Sequence, residues 1–142
     1  MILNMKIIIC GSITAAEEII KIKKQLEDSG HEVEIPHGVK NKEFWNRTEL
    51  PSVEKAGDKI KHDLIRGYFE KMKHYDAVLV VNPEKRGVAG YIGGNTLIEM
   101  AFGHVLGKKL FVLNPLPDLS YTSEILAMQS IVIEGDLGRI QI

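Results

Sequence analysis

The sequence predicts a three-layer α/β sandwich, in which helices cover both faces of a five-stranded, mostly parallel sheet. Short apolar runs alternate with helical segments along the chain, an order typical of parallel strands joined by right-handed crossovers. The first run, residues 5–10, is apolar throughout except for Lys6, as in a strand buried on both faces. A chain of 142 residues fits a single domain with one core.

The first elements follow from local patterns. Residues 14–29 form a helix that Gly30 ends. Residues 31–36 alternate around Val33 and Ile35, which predicts a second strand that ends at the proline. The helix has one apolar face, formed by Ala16, Ile19, Ile20 and Leu26.

The next segment, residues 37–57, is polar and lacks clear periodicity. We therefore expect an irregular insert, and an insert of this length is often a lid or a binding loop. Its aromatic residues, Phe44 and Trp45, either close over a ligand or anchor a surface loop to the body of the domain. Both alternatives are open.

The rest of the pattern gives three strands and three helices. A strand is predicted at 77–81, a glycine-rich loop then leads into an apolar helix around Glu99, and a second strand follows at 110–113. A short helix at 123–128 and a strand at 131–133 complete the domain. A helix at 58–75 precedes the strand at 77–81. It is predicted because apolar residues recur every four positions, at Ile60, Leu64, Tyr68 and Met72. We expect the strand order 2-1-3-4-5 of Rossmann-like and flavodoxin-like sheets.

The charge balance argues against polyanionic partners. The net charge is -1, with Lys+Arg 18 against Asp+Glu 19, so we expect no nucleic acid and no membrane as a partner. Lysines and arginines between positions 55 and 73 are mixed with acids, which indicates a solvated helix face. No signal peptide and no uncharged run of membrane-spanning length occurs. The expected compartment is the cytoplasm.

Metal and cofactor signatures are also missing from the sequence. The histidines show no metal-ligand spacing, and neither a Walker A loop nor a dinucleotide fingerprint is present. We therefore expect no metal and no cofactor. The single cysteine, Cys10, lies within the first predicted strand and is expected to be a buried thiol.

The carboxyl ends of parallel strands meet at one edge, where open α/β sheets bind their ligands. Two strands end in Asn-Pro, at 82–83 and 114–115, and a residue before proline favours extended geometry. The Ser12 hydroxyl and the neighbouring backbone N–H groups, at the start of the first helix, suit an anion. The carboxamides of Asn82, Asn95 and Asn114 can bind sugar hydroxyls or base edges. Alternatively, each forms a local hydrogen bond to nearby backbone. This edge is expected to gather Gly11, Ser12, Asn82, Gly93, Gly94, Asn95, Thr96 and Asn114.

Glu99 is the candidate catalytic residue. Every residue from 87 to 98 is uncharged, and the next full charge after Glu99 is Lys108. A buried acid is costly unless it is paired, and such acids are common in active sites. A carboxylate that faces a sugar carbon can act as the nucleophile in glycosidic cleavage. Alternatively, Thr96-x-x-Glu99 is a capping box, a spacing that the chain also has at Thr14-x-x-Glu17.

Three segments together resemble the nucleoside 2-deoxyribosyltransferase superfamily, which includes nucleotide N-glycoside hydrolases. They are residues 6–13 (Lys-Ile-Ile-Ile-Cys-Gly-Ser-Ile), residues 76–81 (Asp-Ala-Val-Leu-Val-Val) and the loop and helix at 93–109. The resemblance implies that Glu99 attacks the anomeric carbon of the sugar. It also implies that Gly11, Ser12 and Ile13 bind the sugar or a 5′-phosphate. Because family members complete their sites across subunits, it further implies a homo-oligomer.

Two positions depart from the pattern of active relatives. The family's helix aspartate, which helps to protonate the departing base, falls on Tyr68, and the loop at 93–95 lacks the acid that many transferases carry. These departures imply either a substrate with a better leaving group or a site that binds nucleotides without cleaving them. Nothing in the sequence marks a second base site, so we expect hydrolysis rather than transfer, with a nucleoside or nucleoside 5′-monophosphate as substrate. The alternatives are a nucleotide-binding or sensing module of the same fold, and an assembly subunit that uses residues 87–98 as an interface.

Overall fold

A computed structural model of the protein describes residues 4–47 and 50–141, without the side chains at 46 and 47. Five strands form one all-parallel sheet with the order β2-β1-β3-β4-β5. This confirms the predicted α/β class and strand order, which are compatible with a flavodoxin-like fold. The strands are β1 (Lys6–Cys10), β2 (Glu32–Glu34), β3 (Ala77–Val80), β4 (Lys109–Val112) and β5 (Ile131–Val132).

The helices lie on both faces of the sheet, as expected for parallel strands. One core layer places Ile7, Ile9 and Leu79 against the first helix. The other packs the opposite face of the sheet, with Ile8, Val78 and Val80, against the helices that carry Tyr68, Met100 and Ile125. β1 and β3 are therefore almost completely buried. The helices are α1 (Ala16–Asp28), α2 (His37–Lys40), α3 (Ser52–Lys61), α4 (Leu64–Met72), α5 (Gly94–Val105) and α6 (Thr122–Ala127).

The first helix agrees with its prediction except at one position of its apolar face. Gly30 follows α1 with φ +97°, a left-handed conformation that ends the helix as predicted. Ile20, predicted to be in the core, is 40% exposed, and Ile22 is buried instead. The helix begins after a short 3-10 turn, where the Ser12 hydroxyl accepts a hydrogen bond from the Thr14 amide at 3.2 Å. Ser12, and not Thr14, therefore caps this end.

The prediction of an irregular insert at 37–57 is wrong for most of its length. The segment contains α2, a 3-10 stretch at Lys42–Arg47 and the start of α3, while residues 48–49 lie outside the described part. Phe44 is buried, and the Trp45 indole nitrogen donates to the Val39 carbonyl at 3.1 Å. These contacts fit the anchoring role for the two aromatic residues. Helices this short and polar leave little periodic signal in the sequence.

The single helix expected at 58–75 is two helices. Asp63 adopts a left-handed conformation, with φ 48°, between α3 and α4. As a result Ile60 is 79% exposed on α3, whereas Tyr68 and Met72 on α4 are buried against the sheet. No helix within the described residues is long and apolar enough to cross a membrane.

Candidate functional site

A cavity of about 480 Å³ lies at the carboxyl edge of the sheet. Its walls come from the turn after β1, the start of α2 and the 3-10 stretch after it, α3, the first turns of α4, the loop after β3 and the first turns of α5. Of the predicted site residues, it brings together those of the β1 turn and of the α5 loop. These are Gly11, Ser12, Ile13, Gly93, Gly94, Asn95, Thr96 and Glu99.

The β1 turn brings backbone close to the cavity because Gly11 has no side chain. A Cβ at Gly11 would lie 3.0 Å from the Ile19 methyl carbon and 3.1 Å from the Val81 carbonyl oxygen. The next residue, Ser12, accepts from the Thr14 hydroxyl at 2.8 Å and from the Thr14 amide. These bonds use the acceptor capacity of the Ser12 hydroxyl and leave its proton for a ligand.

The helix that carries Glu99 begins earlier than the capping-box alternative requires. α5 starts at Gly94 with Gly93 as its N-cap and no side-chain capping bond. Thr96 is therefore inside the helix, and Glu99 lies in the second turn, so the capping box is not formed. Glu99 is only 7% exposed. The Asn95 side-chain nitrogen donates to its Oε1 across a long 3.5 Å contact.

Burial raises the pKa of Glu99 to about 8, against the opposing effects of the nearby Lys59 ammonium and of a hydrogen bond with the Cys10 thiol. Cys10 is buried at the end of β1, and burial together with the charge of Glu99 raises the pKa of its thiol. The prediction of a buried thiol is confirmed. A carboxyl group held in apolar surroundings with few partners is a common feature of catalytic sites.

Tyr68 occupies the position at which the family resemblance expects an aspartate. Its side chain lines the cavity, and its hydroxyl donates to the Ile9 carbonyl on β1. Burial, followed by the neighbouring Cys10 and Glu99, raises the pKa of Tyr68 well above its usual value. The phenol therefore stays neutral, and its proton is committed to the backbone.

Two predicted site residues, Asn82 and Asn114, lie outside the cavity. The Asn82 oxygen accepts from the Asn114 amide at 2.9 Å, and its nitrogen donates to the Gly90 carbonyl at 3.2 Å. In return the Asn114 side chain donates to the Asn82 carbonyl at 3.0 Å. These amides bind backbone across the ends of β3 and β4, which is the local alternative for carboxamides at strand ends.

Four cationic side chains line the cavity, and none of them was predicted to belong to the site. Lys55 and Lys59 belong to α3, and Lys85 and Arg86 to the loop after β3. The prediction that the basic residues after position 55 form a solvated face is thus incomplete, because part of α3 faces the cavity. The sequence shows only that Lys55 and Lys59 are four residues apart and therefore lie on the same face of a helix. It does not show that this face lines the cavity.

Phe44 and His37 form one aromatic part of the wall, and Tyr68 and Tyr91 also line the cavity. The rings of Phe44 and His37 are in edge-to-face contact with centroids 5.3 Å apart, and the His62 ring lies 5.0 Å from that of His37. Burial and the neighbouring His62 lower the pKa of His37. A neutral imidazole and a phenyl ring are apolar rings of the kind against which a heterocyclic base can pack.

No family model and no curated protein matches the chain. Among the described residues, no group of three or more histidine, cysteine, aspartate or glutamate side chains is placed to hold a metal ion.

Proposed function

We propose that the protein hydrolyses the N-glycosidic bond of a nucleoside or nucleoside 5′-monophosphate, with Glu99 as the nucleophile. The observation that carries this proposal is a carboxylate that is 7% exposed and yet lines a cavity of about 480 Å³. Cavities of this size accommodate small-molecule ligands. The family resemblance, which includes the helix that presents this glutamate, supplies the reaction class.

In the proposed reaction, one Glu99 carboxylate oxygen forms a bond to the anomeric carbon as the bond from that carbon to the base nitrogen breaks. The electron pair of the broken bond leaves with the base, which takes a proton from water because the Tyr68 hydroxyl donates to Ile9. Water then hydrolyses the glycosyl ester, which frees the sugar and regenerates the carboxylate.

The other walls of the cavity suit the remaining parts of such a substrate. The Ser12 hydroxyl retains a proton for a sugar or phosphate oxygen, and His37 and Phe44 provide a surface for the base. Among the residues that the structure describes, the charged lining contains four cations and two acids, Asp58 and Glu99. This excess of positive charge favours a phosphorylated substrate over a neutral nucleoside.

The test is release of free base from a panel of nucleosides and 5′-monophosphates, in both ribo and deoxy forms. We expect release from at least one 5′-monophosphate, and a loss of at least about 10³-fold in Glu99→Gln. Glu124→Gln, a change of the same chemistry at an exposed position of α6, is the matched control and should keep wild-type activity. No release from any compound contradicts the proposal.

The second candidate is a nucleotide-binding module that does not cleave its ligand. The pKa of Glu99, about 8, favours it, because the carboxyl is then mostly protonated at pH 7 and can donate a hydrogen bond to a ligand oxygen. Thermal stabilisation by nucleotides, with no base released and with the same stabilisation in Glu99→Gln, is the result that this candidate expects.

We also propose that the protein self-associates. The family resemblance implies a homo-oligomer, and α3 exposes two apolar side chains, Val53 at 83% and Ile60 at 79%. Light scattering on the wild type and on a Val53→Asp, Ile60→Asp double variant tests this. The wild type should have a multiple of the monomer mass and the variant a lower mass; a monomeric wild type contradicts the proposal.

A further inference from the structure

We propose that Lys59 is a positioning residue for the Glu99 nucleophile: α3 carries its ammonium over the cavity, where it orients Asn95 and stabilises the negative charge of the Glu99 carboxylate. This inference rests on the proposed function and assigns a role to a residue of a different helix. If Lys59 has this role, the reactivity of Glu99 depends on the position of α3.

A chain of contacts connects the two charges. The Lys59 ammonium donates to the Asn95 oxygen at 3.3 Å, and the Asn95 nitrogen donates to Glu99 Oε1 at 3.5 Å. Because a carboxamide has a donor end and an acceptor end, a cation bound to its oxygen turns the N–H end towards the carboxylate. The same cation also lowers the pKa of Glu99 directly, against the effect of burial.

Among the described residues, the other groups in contact with Glu99 do not supply a positive charge. The Cys10 thiol of β1 and the Tyr68 phenol of α4 are neutral and buried. The remaining charged side chains of the cavity, Lys55, Asp58, Lys85 and Arg86, line its walls, but the charge that acts on the Glu99 carboxyl is that of Lys59. Lys59 therefore offsets part of the cost of ionising a buried carboxylate.

The helix that supplies Lys59 is attached weakly to the domain. None of the ten residues of α3, all of which the structure describes, is buried, and the Asp63 turn joins the helix to α4. Lys55, Asp58 and Lys59 face the cavity, while Val53 and Ile60 are exposed on other faces. Few apolar contacts hold such a helix in place, so the contact between Lys59 and Asn95 contributes to its position over the site.

The first test compares Lys59→Met with Lys61→Met, which removes the same charge from an exposed position of α3 outside the cavity. Base release by Lys59→Met should fall roughly fivefold at pH 7, and the difference from wild type should shrink above pH 9, where Glu99 ionises without help. Lys59→Arg should recover most of the activity. An activity ratio that is constant across pH, or equal losses in the two methionine variants, overturns the proposal.

The second test does not depend on catalysis, so it separates failure of this inference from failure of the proposed function. The gain in stability caused by Glu99→Gln at pH 9, where the wild-type carboxyl is mostly ionised, is measured by urea unfolding in three backgrounds: wild type, Lys59→Met and Lys61→Met. We expect the largest gain in Lys59→Met, because its buried carboxyl has lost the cation. Equal gains in all three backgrounds overturn the role of Lys59 even if base release is found.

Discussion

The edge of the sheet contains two groups of polar side chains that look alike in the sequence and differ in the structure. At the β3 and β4 ends, Asn82 and Asn114 bond to backbone across the two strands. At the start of α5, Glu99 has a long contact to Asn95 at 3.5 Å and a hydrogen bond with the Cys10 thiol, which is a weak donor. Asn82 is as buried as Glu99, at 1% and 7% exposure. Hydrogen-bond satisfaction, rather than burial, therefore separates the structural group from the candidate catalytic group.

The largest expected effect is on the pH dependence of stability at Glu99. The unfolded state releases this proton near the usual pKa of 4.5, whereas the folded state holds it to about pH 8. The folded state therefore binds more protons between these values, and its stability falls as pH rises through this window. Glu99→Gln removes the effect, so we expect it to be about 4 kcal/mol more stable than wild type at pH 8.

Urea unfolding at a series of pH values measures this difference. The gain should shrink towards zero below pH 4.5, where the wild-type carboxyl is protonated in both states. A gain that stays constant with pH would show that Glu99 has an ordinary pKa, and the contrast with Asn82 would lose its basis.

The opposite change is expected at the asparagine pair. Asn82→Ala leaves the Asn114 amide and the Gly90 carbonyl without their partner, which should lower the free energy of unfolding by about 3 kcal/mol. Asn114→Ala, which removes the side-chain bond to the Asn82 carbonyl, should cost about 1 kcal/mol. Both losses should be independent of pH between 5 and 8, and base release by the folded variants should persist.

The third effect concerns the reaction itself. If ionised Glu99 is the nucleophile, base release should rise about tenfold per pH unit below the pKa of about 8 and level off above it. Initial rates from pH 5 to 10 with the best 5′-monophosphate check this. A rate that falls as pH rises towards 8 would indicate that the protonated carboxyl is the active form.

The smallest effect is expected at Tyr68. Tyr68→Phe removes the hydrogen bond to the Ile9 carbonyl and should destabilise the protein by about 1 kcal/mol. Because the phenol does not donate its proton to the base in the proposed reaction, the shape of the pH-rate profile should not change. Loss of an ionisation from that profile would instead make Tyr68 the acid that replaces the family's aspartate.

The sequence predicted the sheet well because its signal is local. Continuous apolar runs such as residues 5–10 identify strands covered on both faces, and Gly30 marks a helix end. α2 and the part of α3 before residue 58 were missed because they bury too few residues to produce a period. Ile60 illustrates the limit: its spacing fits one long helix, and a single left-handed residue, Asp63, moves it to the surface.

The site was predicted in part, for a related reason. The β1 turn and the α5 loop each carry a local pattern, and Glu99 is conspicuous among uncharged neighbours. Lys59 reaches Asn95 from a position 36 residues away in the chain, and no local pattern records such a contact. Asn82 and Asn114 were placed at the correct edge, but which partner an amide chooses depends on neighbours that only the folded chain brings together.

The most direct test of the Glu99 nucleophile is capture of its covalent sugar adduct. A 2′-fluoro analogue of the substrate that the wild type cleaves fastest should slow both steps, because the fluorine disfavours the oxocarbenium-like transition state. Mass spectrometry of the digested protein should then find the sugar on the peptide that contains Glu99, and not in Glu99→Gln. Base release without an adduct, or an adduct on another residue, would contradict the account.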